Sequence, residues 1–571
     1  MLLANVRHES IIKLLKNGAV SYSDSECIAK ADILLSGNWV ADNFTIYFEP
    51  EIAYDVRNIN WDIIHTNSPN TFSQHLQTLN YLYFLAVAFS ITGKMEYYQR
   101  GIDIVTSWEN YSMTHAKTNI YTWHPMTVAL RLRVFILFYI QVPPSHSKNQ
   151  IITWLLGLVK KHGEWLLECD NYAYTHNYGI MQDTALLACG YLIDNQPFID
   201  CALKRFNEQM TWAYPNKAAH IENSMTYSRI VMRLAVSVCI FLKEMNNPIE
   251  KELYSFIKGA TDFFVHAASP VAALLTCGDT YRRNEYDINA VALLDLLDEY
   301  EIDGFNYLRY ALTGGLEGTE PEVNTKVFHK DGYAIIRSGW ERNATWITFK
   351  SGYLSCSHKH KDELSFVLNA KGSEIFIDPG MYNYMVGNIN HDYLLSGFAH
   401  NGIIVDGKSY PIAKKLAHRA GIFESCNPNI VTAFNNLYPG VFIDRSLIYV
   451  NESEFYIVDD IVSYEEHEYS QNFHLSNEVS LSKHTPEYAV LRLKSTLWNI
   501  VILQHVPVDT IISKYGETGD ITTMSVQSVG MNTVMPTVSI QFKRKGRSVK
   551  FVTKIIILSD TEWELFNYVK K

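Results

Sequence analysis

Side chains able to move protons or hold a metal gather at a few places in this sequence. One is Ser357-His-Lys-His-Lys-Asp-Glu-Leu-Ser-Phe366, which runs on to Asp378-Pro-Gly-Met-Tyr-Asn-Tyr384 and then to Ala399-His-Asn-Gly402. Others lie earlier, at Thr175-His-Asn-Tyr-Gly179 and Glu222-Asn-Ser-Met-Thr-Tyr227. His358 offers an imidazole that exchanges protons near neutral pH. The phenol of Tyr227, with an ordinary pKa of ~10, stays protonated there and suits proton donation. The amide of Asn177 is a fixed donor of the kind that stabilises a developing oxyanion. Imidazoles and carboxylates are also donors that zinc accepts. A plain structural role is open to each residue as well. Asn177 can cap the helix that follows it, and Glu222 can sit exposed at a helix start, where the dipole favours a carboxylate. His176 can bond nearby backbone, and Tyr227 and Tyr384 can pack as ordinary aromatics. Asp378-Pro-Gly and His400-Asn401 read equally as a turn and a loop pair.

The elements that must position these groups differ between the two halves of the chain. From about residue 70 to 310, apolar residues recur at three- and four-residue steps, as in Leu76, Leu79, Leu82, Leu85, Ala86 and Phe89, which predicts helix. Similar patterns occupy 126–140, 151–167, 183–192, 228–245, 251–267 and 288–300, with loops at Thr92-Gly-Lys, 142–148 and Asn246-Asn-Pro. Successive antiparallel helices of this length suit an incomplete α/α toroid or a bundle-like array. The Gly-rich stretch Leu312-Thr-Gly-Gly-Leu-Glu-Gly suits a connection, so a helical domain over 1–315 and a second domain over 316–571 are expected. Strand-like segments follow at 333–336, 344–350, 365–368, 375–377, 403–405, 446–449, 455–459, 489–493, 500–505, 538–542 and 549–558, the pattern of an antiparallel β-sandwich. On a regular strand His358 and His360 would share a face; for them to do different work the strand must begin irregularly.

Composition narrows the class. A chain of 571 residues exceeds what one core usually organises, and 47% hydrophobic content supplies ample material to bury. The 36 Tyr and 11 Trp are rings of the kind that stack on sugars in glycan-binding clefts. A net charge of −11 excludes a surface that attracts nucleic acid or anionic membrane as a whole, while leaving room for a local basic cleft. The apolar runs 134–142 and 81–90 are shorter than the ~20 residues that cross a bilayer, so no membrane span is expected. Met1-Leu-Leu-Ala-Asn-Val-Arg lacks the pattern of a secretion signal, which makes a cytoplasmic location the expectation and a periplasmic or secreted one the alternative. The eight cysteines form no CxxC pair and read as reduced thiols.

The motifs resemble those of the heparinase II/III family of polysaccharide lyases. Its C-terminal domain begins with H-x-H-x-D-x-L-S-F, then D-P-G-x-x-x-Y, then H-N and V-D-G, matched in order by His358 to Phe366, Asp378 to Tyr384, and His400-Asn401 with Val405-Asp-Gly407. Thr175-His-Asn-Tyr-Gly179 and Glu222 to Tyr227 are similar to its N-H-G and E-x-S-x-x-Y segments, and Trp61-Asp-Ile-Ile and Trp123-His-Pro-Met also look like members. Tyr178 and Ser228 stand where many relatives carry His, and an arginine often found between the D-P-G turn and the H-N pair is absent from 388–399.

The resemblance implies a toroid followed by a β-sandwich, and cleavage of a uronic-acid-containing polysaccharide by β-elimination. It implies Asn177 as donor to the substrate carboxylate, with Tyr227 and His358 as acid and base, the division depending on syn or anti geometry. His176, Glu222 and Tyr384 are further candidates to assist or to line the site. Structural zinc on His360, Asp378 and His400 is implied as well, and no organic cofactor. The rivals are a glycoside hydrolase, which needs opposed carboxylates such as Asp183, Glu222 or Asp279, and a catalytically silent glycan-binding protein of polysaccharide assembly.

Overall fold

The computed structural model describes residues 2–17, 22–40, 52–66, 68–115, 118–143, 150–247, 251–281, 288–300, 302, 304–385, 387–425, 427–494 and 496–569. The expected loop at 142–148 falls mostly outside these residues, as do Pro248 and Cys426. The chain forms two compact units: Met1–Ala213, Ile230–Ile257 and Asp295–Tyr300 make one, and Tyr214–Arg229, Lys258–Leu294 and Glu301–Lys571 make the other. The segments bearing Tyr227 and Asp279 therefore group with the strands.

The helical unit is an α/α array of the toroid kind, with helices Leu2–Asn17, Asp24–Ser36, Pro69–Thr78, Leu82–Thr92, Met95–His115, Pro125–Ile140, Gln150–Leu167, Asn177–Leu192 and Gln196–Ala213. Helix begins well before residue 70. The periodic run from Leu76 to Phe89 is two helices: the first ends at Leu79, whose φ of 53° is left-handed, and Thr78 Oγ1 accepts from the Asn80 N–H at 3.1 Å. Leu76, Leu79, Leu82 and Leu85 are nonetheless all fully buried, so the spacing reports a buried face that continues across the break. Deeper in this unit the buried Arg131 guanidinium lies 4.0 Å from the Trp108 ring and donates to the carbonyls of Gln77 and Thr122 and to His162 Nε2. Those bonds satisfy a charge that burial would otherwise penalise heavily.

The second unit carries an antiparallel five-stranded sheet, Lys326–Phe328, Tyr333–Arg337, Trp346–Lys350, Ser365–Ala370 and Ser373–Phe376, each strand pairing with the next. A ten-stranded antiparallel sheet is centred on Val441–Asn451, Glu454–His474 and Val538–Ser559. Phe366 and Phe376 of the smaller sheet meet Phe455 and Phe473 of the larger, with ring centroids 6.4 and 5.6 Å apart, in one continuous core. Two sheets sharing a core in this way make a β-sandwich. Segments 455–459, 538–542 and 549–558 are pieces of two strands of 21 and 22 residues.

Helix Met225–Glu244 is long and apolar enough to cross a membrane by length and composition, yet 83% of its apolar window is buried, as in a core helix. All the described cysteines are free thiols.

Candidate active site and metal centre

Within the second unit, residues 220–227, 277–281 and 355–360 are laced together by their backbones. Asn223, at φ 57°, donates through Nδ2 to the carbonyls of Ser355 and Ser357 at 2.9 and 3.1 Å. Ser224 Oγ donates to the Asp279 carbonyl at 2.8 Å, and the Asp279 N–H to the His358 carbonyl at 3.1 Å. Only glycine fits before Asp279: a Cβ on Gly278 would lie 2.3 Å from the His358 carbonyl oxygen and 2.4 Å from that of Asn223. His358 itself is left-handed at φ 54°, and the sheet resumes only at Ser365. The irregular strand start that the two histidines require is present.

Asp279 is the hub. Its Oδ2 lies 2.7 Å from His358 Nδ1 and its Oδ1 3.0 Å from His360 Nε2. Burial would raise this carboxyl; the hydrogen bonds from the two histidines outweigh it and hold the group below the usual carboxylate range. An ionised carboxylate only accepts, so His358 Nδ1 and His360 Nε2 carry the protons and the opposite ring nitrogens are left for other work. His358 Nε2 lies 3.9 Å from Glu222 Oε2. The Tyr227 ring stacks on His358, and its hydroxyl meets that of Tyr384 at 2.6 Å. Glu222 is 1% exposed and neither carboxylate oxygen has a hydrogen-bond partner, so of the two readings open to it the exposed helix-start carboxylate is ruled out and a buried group facing His358 is left. Burial pushes it up to about 6, with His358 pulling the other way.

Beside this cluster, His360, Asp378 and His400 bring ligand atoms within 4.8 Å of one another, all buried. His400 Nδ1 donates to the Ser396 carbonyl at 2.8 Å, turning Nε2 inward, 3.4 Å from Asp378 Oδ2. His360 Nδ1 is a buried ring nitrogen with no hydrogen-bond partner, and the buried His400 Nε2 faces only the Asp378 carboxylate. Buried polar atoms without partners are costly, and a metal-ligating histidine normally donates its other ring nitrogen to an acceptor, as both do here. The donor set therefore fits a divalent metal.

His176 and Asn177 belong to the helical unit. Helix capping falls to His176 and not to Asn177: its side chain accepts from the Tyr178 N–H at 3.2 Å, and Asn177 opens the helix. Asn177 is 5% exposed with its Oδ1 unpartnered. Tyr178 packs between His176 and His124, with centroids 4.0 and 5.7 Å away. Ser228, the other departure, meets Tyr214 Oη at 3.1 Å. Asp183 accepts from Tyr172 at 2.7 Å, and burial pushes its carboxyl well above the usual range. Sequence reasoning took Asp279 only as a carboxylate of a hydrolase pair; its hub role carries no local signal beyond the Gly278-Asp279 turn.

A helical toroid joined to a β-sandwich bearing a histidine–tyrosine cluster beside a metal-type triad defines the class. Residues 13–285 match the heparinase II/III N-terminus and 320–554 the heparinase II/III-like C-terminal domain, and the chain belongs to the heparinase II/III family. It is 23% identical over 491 residues to a heparin-sulfate lyase of Bacteroides thetaiotaomicron, spanning 80% of this chain and 69% of that one. A crystal structure of heparinase III superposes with a TM-score of 0.77 at 18% identity, covering 95% of this chain and 86% of that one. The heparan sulfate lyase HepC from Pedobacter heparinus gives 0.72 at 16% identity, covering 98% and 88%.

Proposed function

We propose that the protein cleaves a uronic-acid-containing acidic polysaccharide by β-elimination, leaving a 4,5-unsaturated uronate end. The observation that carries this reading is the Tyr227–His358 pair: an imidazole whose Nδ1 is committed to Asp279, stacked on a phenol that is itself ordinarily protonated. Elimination breaks the C5–H and C4–O4 bonds and forms the C4=C5 double bond. His358 Nε2 takes the C5 proton and Tyr227 returns one to the leaving O4. Tyr384, bonded to Tyr227 at 2.6 Å, orients that hydroxyl. Asn177, assigned from the family pattern, donates to the uronate carboxylate as negative charge builds on it. His176 holds the start of the Asn177 helix. The relatives named for heparin and heparan sulfate support a glycosaminoglycan-like polymer as substrate.

Zinc is the metal proposed for His360 Nδ1, Asp378 and His400 Nε2, a histidine and carboxylate set that zinc takes readily. Its contribution when bound is structural: it fixes the segment after His358 to the Asp378 turn.

A hydrolase reading is weaker because Asp279 has both oxygens committed to histidines and Asp183 is tied to Tyr172. The test is a panel of heparan sulfate, chondroitin sulfate, alginate and bacterial exopolysaccharides, followed by ultraviolet absorbance and mass spectrometry. Products that absorb and carry no added water are expected. Products heavier by one water, or binding with no turnover on any polymer, would overturn it.

A further inference from the structure

We infer that Asp279 is a positioning residue that locks His358 in its working tautomer and ties it mechanically to the metal ligand His360. The inference rests on the lyase reading for the role of His358, but its geometry does not. A single buried carboxylate accepts from both imidazoles, at 2.7 Å from His358 Nδ1 and 3.0 Å from His360 Nε2. Its backbone is fixed to the same segment, donating to the His358 carbonyl and accepting from Ser224, and Gly278 lets the two strands of backbone approach so closely. His360 is 0% exposed, so no water competes for its bond to Asp279.

The consequences run in sequence. With a metal on His360 Nδ1, that ring's plane would be fixed; its Nε2–H sets Asp279 Oδ1, and Asp279 Oδ2 sets His358 Nδ1. The nitrogen left to meet substrate is Nε2. Together with the irregular strand start at His358, this accounts for two histidines spaced two residues apart doing different work. They share one acceptor and use the nitrogens that point away from it. A carboxylate that orients a ligand histidine is a common outer partner of metal sites; here the same carboxylate also serves the histidine that handles protons.

The decisive variant is Asp279→Asn, which presents one oxygen and one NH2, so one of the two imidazoles meets a donor where it had an acceptor. Three readouts are expected to move together. Zinc affinity, measured by competition with a chromogenic chelator, falls by roughly 10–100-fold. In ¹⁵N-histidine NMR, the His358 signals, identified by their loss in His358→Gln, leave the Nδ1–H tautomer. On whichever uronate polymer the wild type cleaves, kcat falls by about 100-fold or more while KM stays within about threefold, the pattern of a lost transition-state interaction. His358→Gln is expected to lower kcat while leaving zinc affinity within about threefold.

A measurement without any variant guards against misfolding of Asp279→Asn: stripping zinc from the wild type shifts the His358 ring signals although His358 is not a ligand. Unchanged zinc affinity in a folded Asp279→Asn protein, or His358 signals indifferent to zinc, would overturn the inference. Should the wild type cleave no polymer, the lyase reading falls, and the zinc and NMR measurements still decide the role of Asp279.

Discussion

The Tyr227 ring lies on the His358 imidazole with centroids 3.6 Å apart and planes 16° from parallel. Rings packed face to face position each other, so truncating either one displaces its neighbour as well as removing whatever its own polar group does.

Tyr227→Phe separates these effects because it keeps the ring and the stack and deletes only the hydroxyl. Turnover is expected to fall by about 10²–10⁴-fold, the usual worth of a positioned acid or base, with the thermal midpoint lowered by no more than the loss of the one hydrogen bond to Tyr384 implies, about 1 kcal/mol. Initial rates of unsaturated-product formation beside a melting curve measure both. Near wild-type turnover would remove Tyr227 from the mechanism.

Asn177→Ala is a clean probe for a related reason. His176, not Asn177, caps the helix, and the Asn177 Oδ1 has no partner to lose. Loss of turnover by about 10²–10³-fold is expected, as for removal of one oxyanion donor. Stability should change by only about 0.5 kcal/mol, whereas His176→Ala should cost about 1 kcal/mol as a lost cap. Chemical unfolding of the two variants side by side makes the comparison.

Glu222 makes stability depend on pH. Its carboxyl is lifted from an ordinary 4.5 to about 6 by burial, against the pull of His358. Because the folded value is the higher, the contribution is fully present below the unfolded value and is lost as pH rises through about 6. Glu222→Gln cannot ionise and should be about 2 kcal/mol more stable than wild type at pH 8, with little difference at pH 4. Urea titrations at both pH values would show parallel stabilities if the idea is wrong.

Metal removal should destabilise the second unit. Zinc held by the folded triad and not by the unfolded chain would, at a hundredfold excess over its Kd, add about 2.7 kcal/mol. Elemental analysis is expected to find one zinc per chain, lost in His400→Ala, together with a lowered melting temperature that added zinc no longer raises.

Much of this was legible in sequence, and the limits have physical causes. The ordered motifs around Asn177, Tyr227, His358, Asp378 and His400 pointed to the family, and the switch from helical to alternating patterns marked the two architectures. The break at Leu79 was hidden because burial continues across it. For Glu222 the sequence leaves an exposed helix-start carboxylate and a site residue equally open, because the burial that lifts its pKa arises from tertiary packing. Asp279 meets His358 and His360 across about 80 residues of sequence, a relationship that no local pattern encodes.

Strand Glu454–His474 takes Val538–Ser559 as its neighbour along nearly its whole length, with one irregularity between Val462 and His467. Until the later strand has been synthesised, that side of the earlier one is an open row of backbone donors and acceptors, the template on which chains aggregate. The pairing also closes a loop of more than sixty residues, which gives the sandwich a high contact order and slow folding. Folding yield in a cell should therefore depend on how quickly translation delivers residues 538–559.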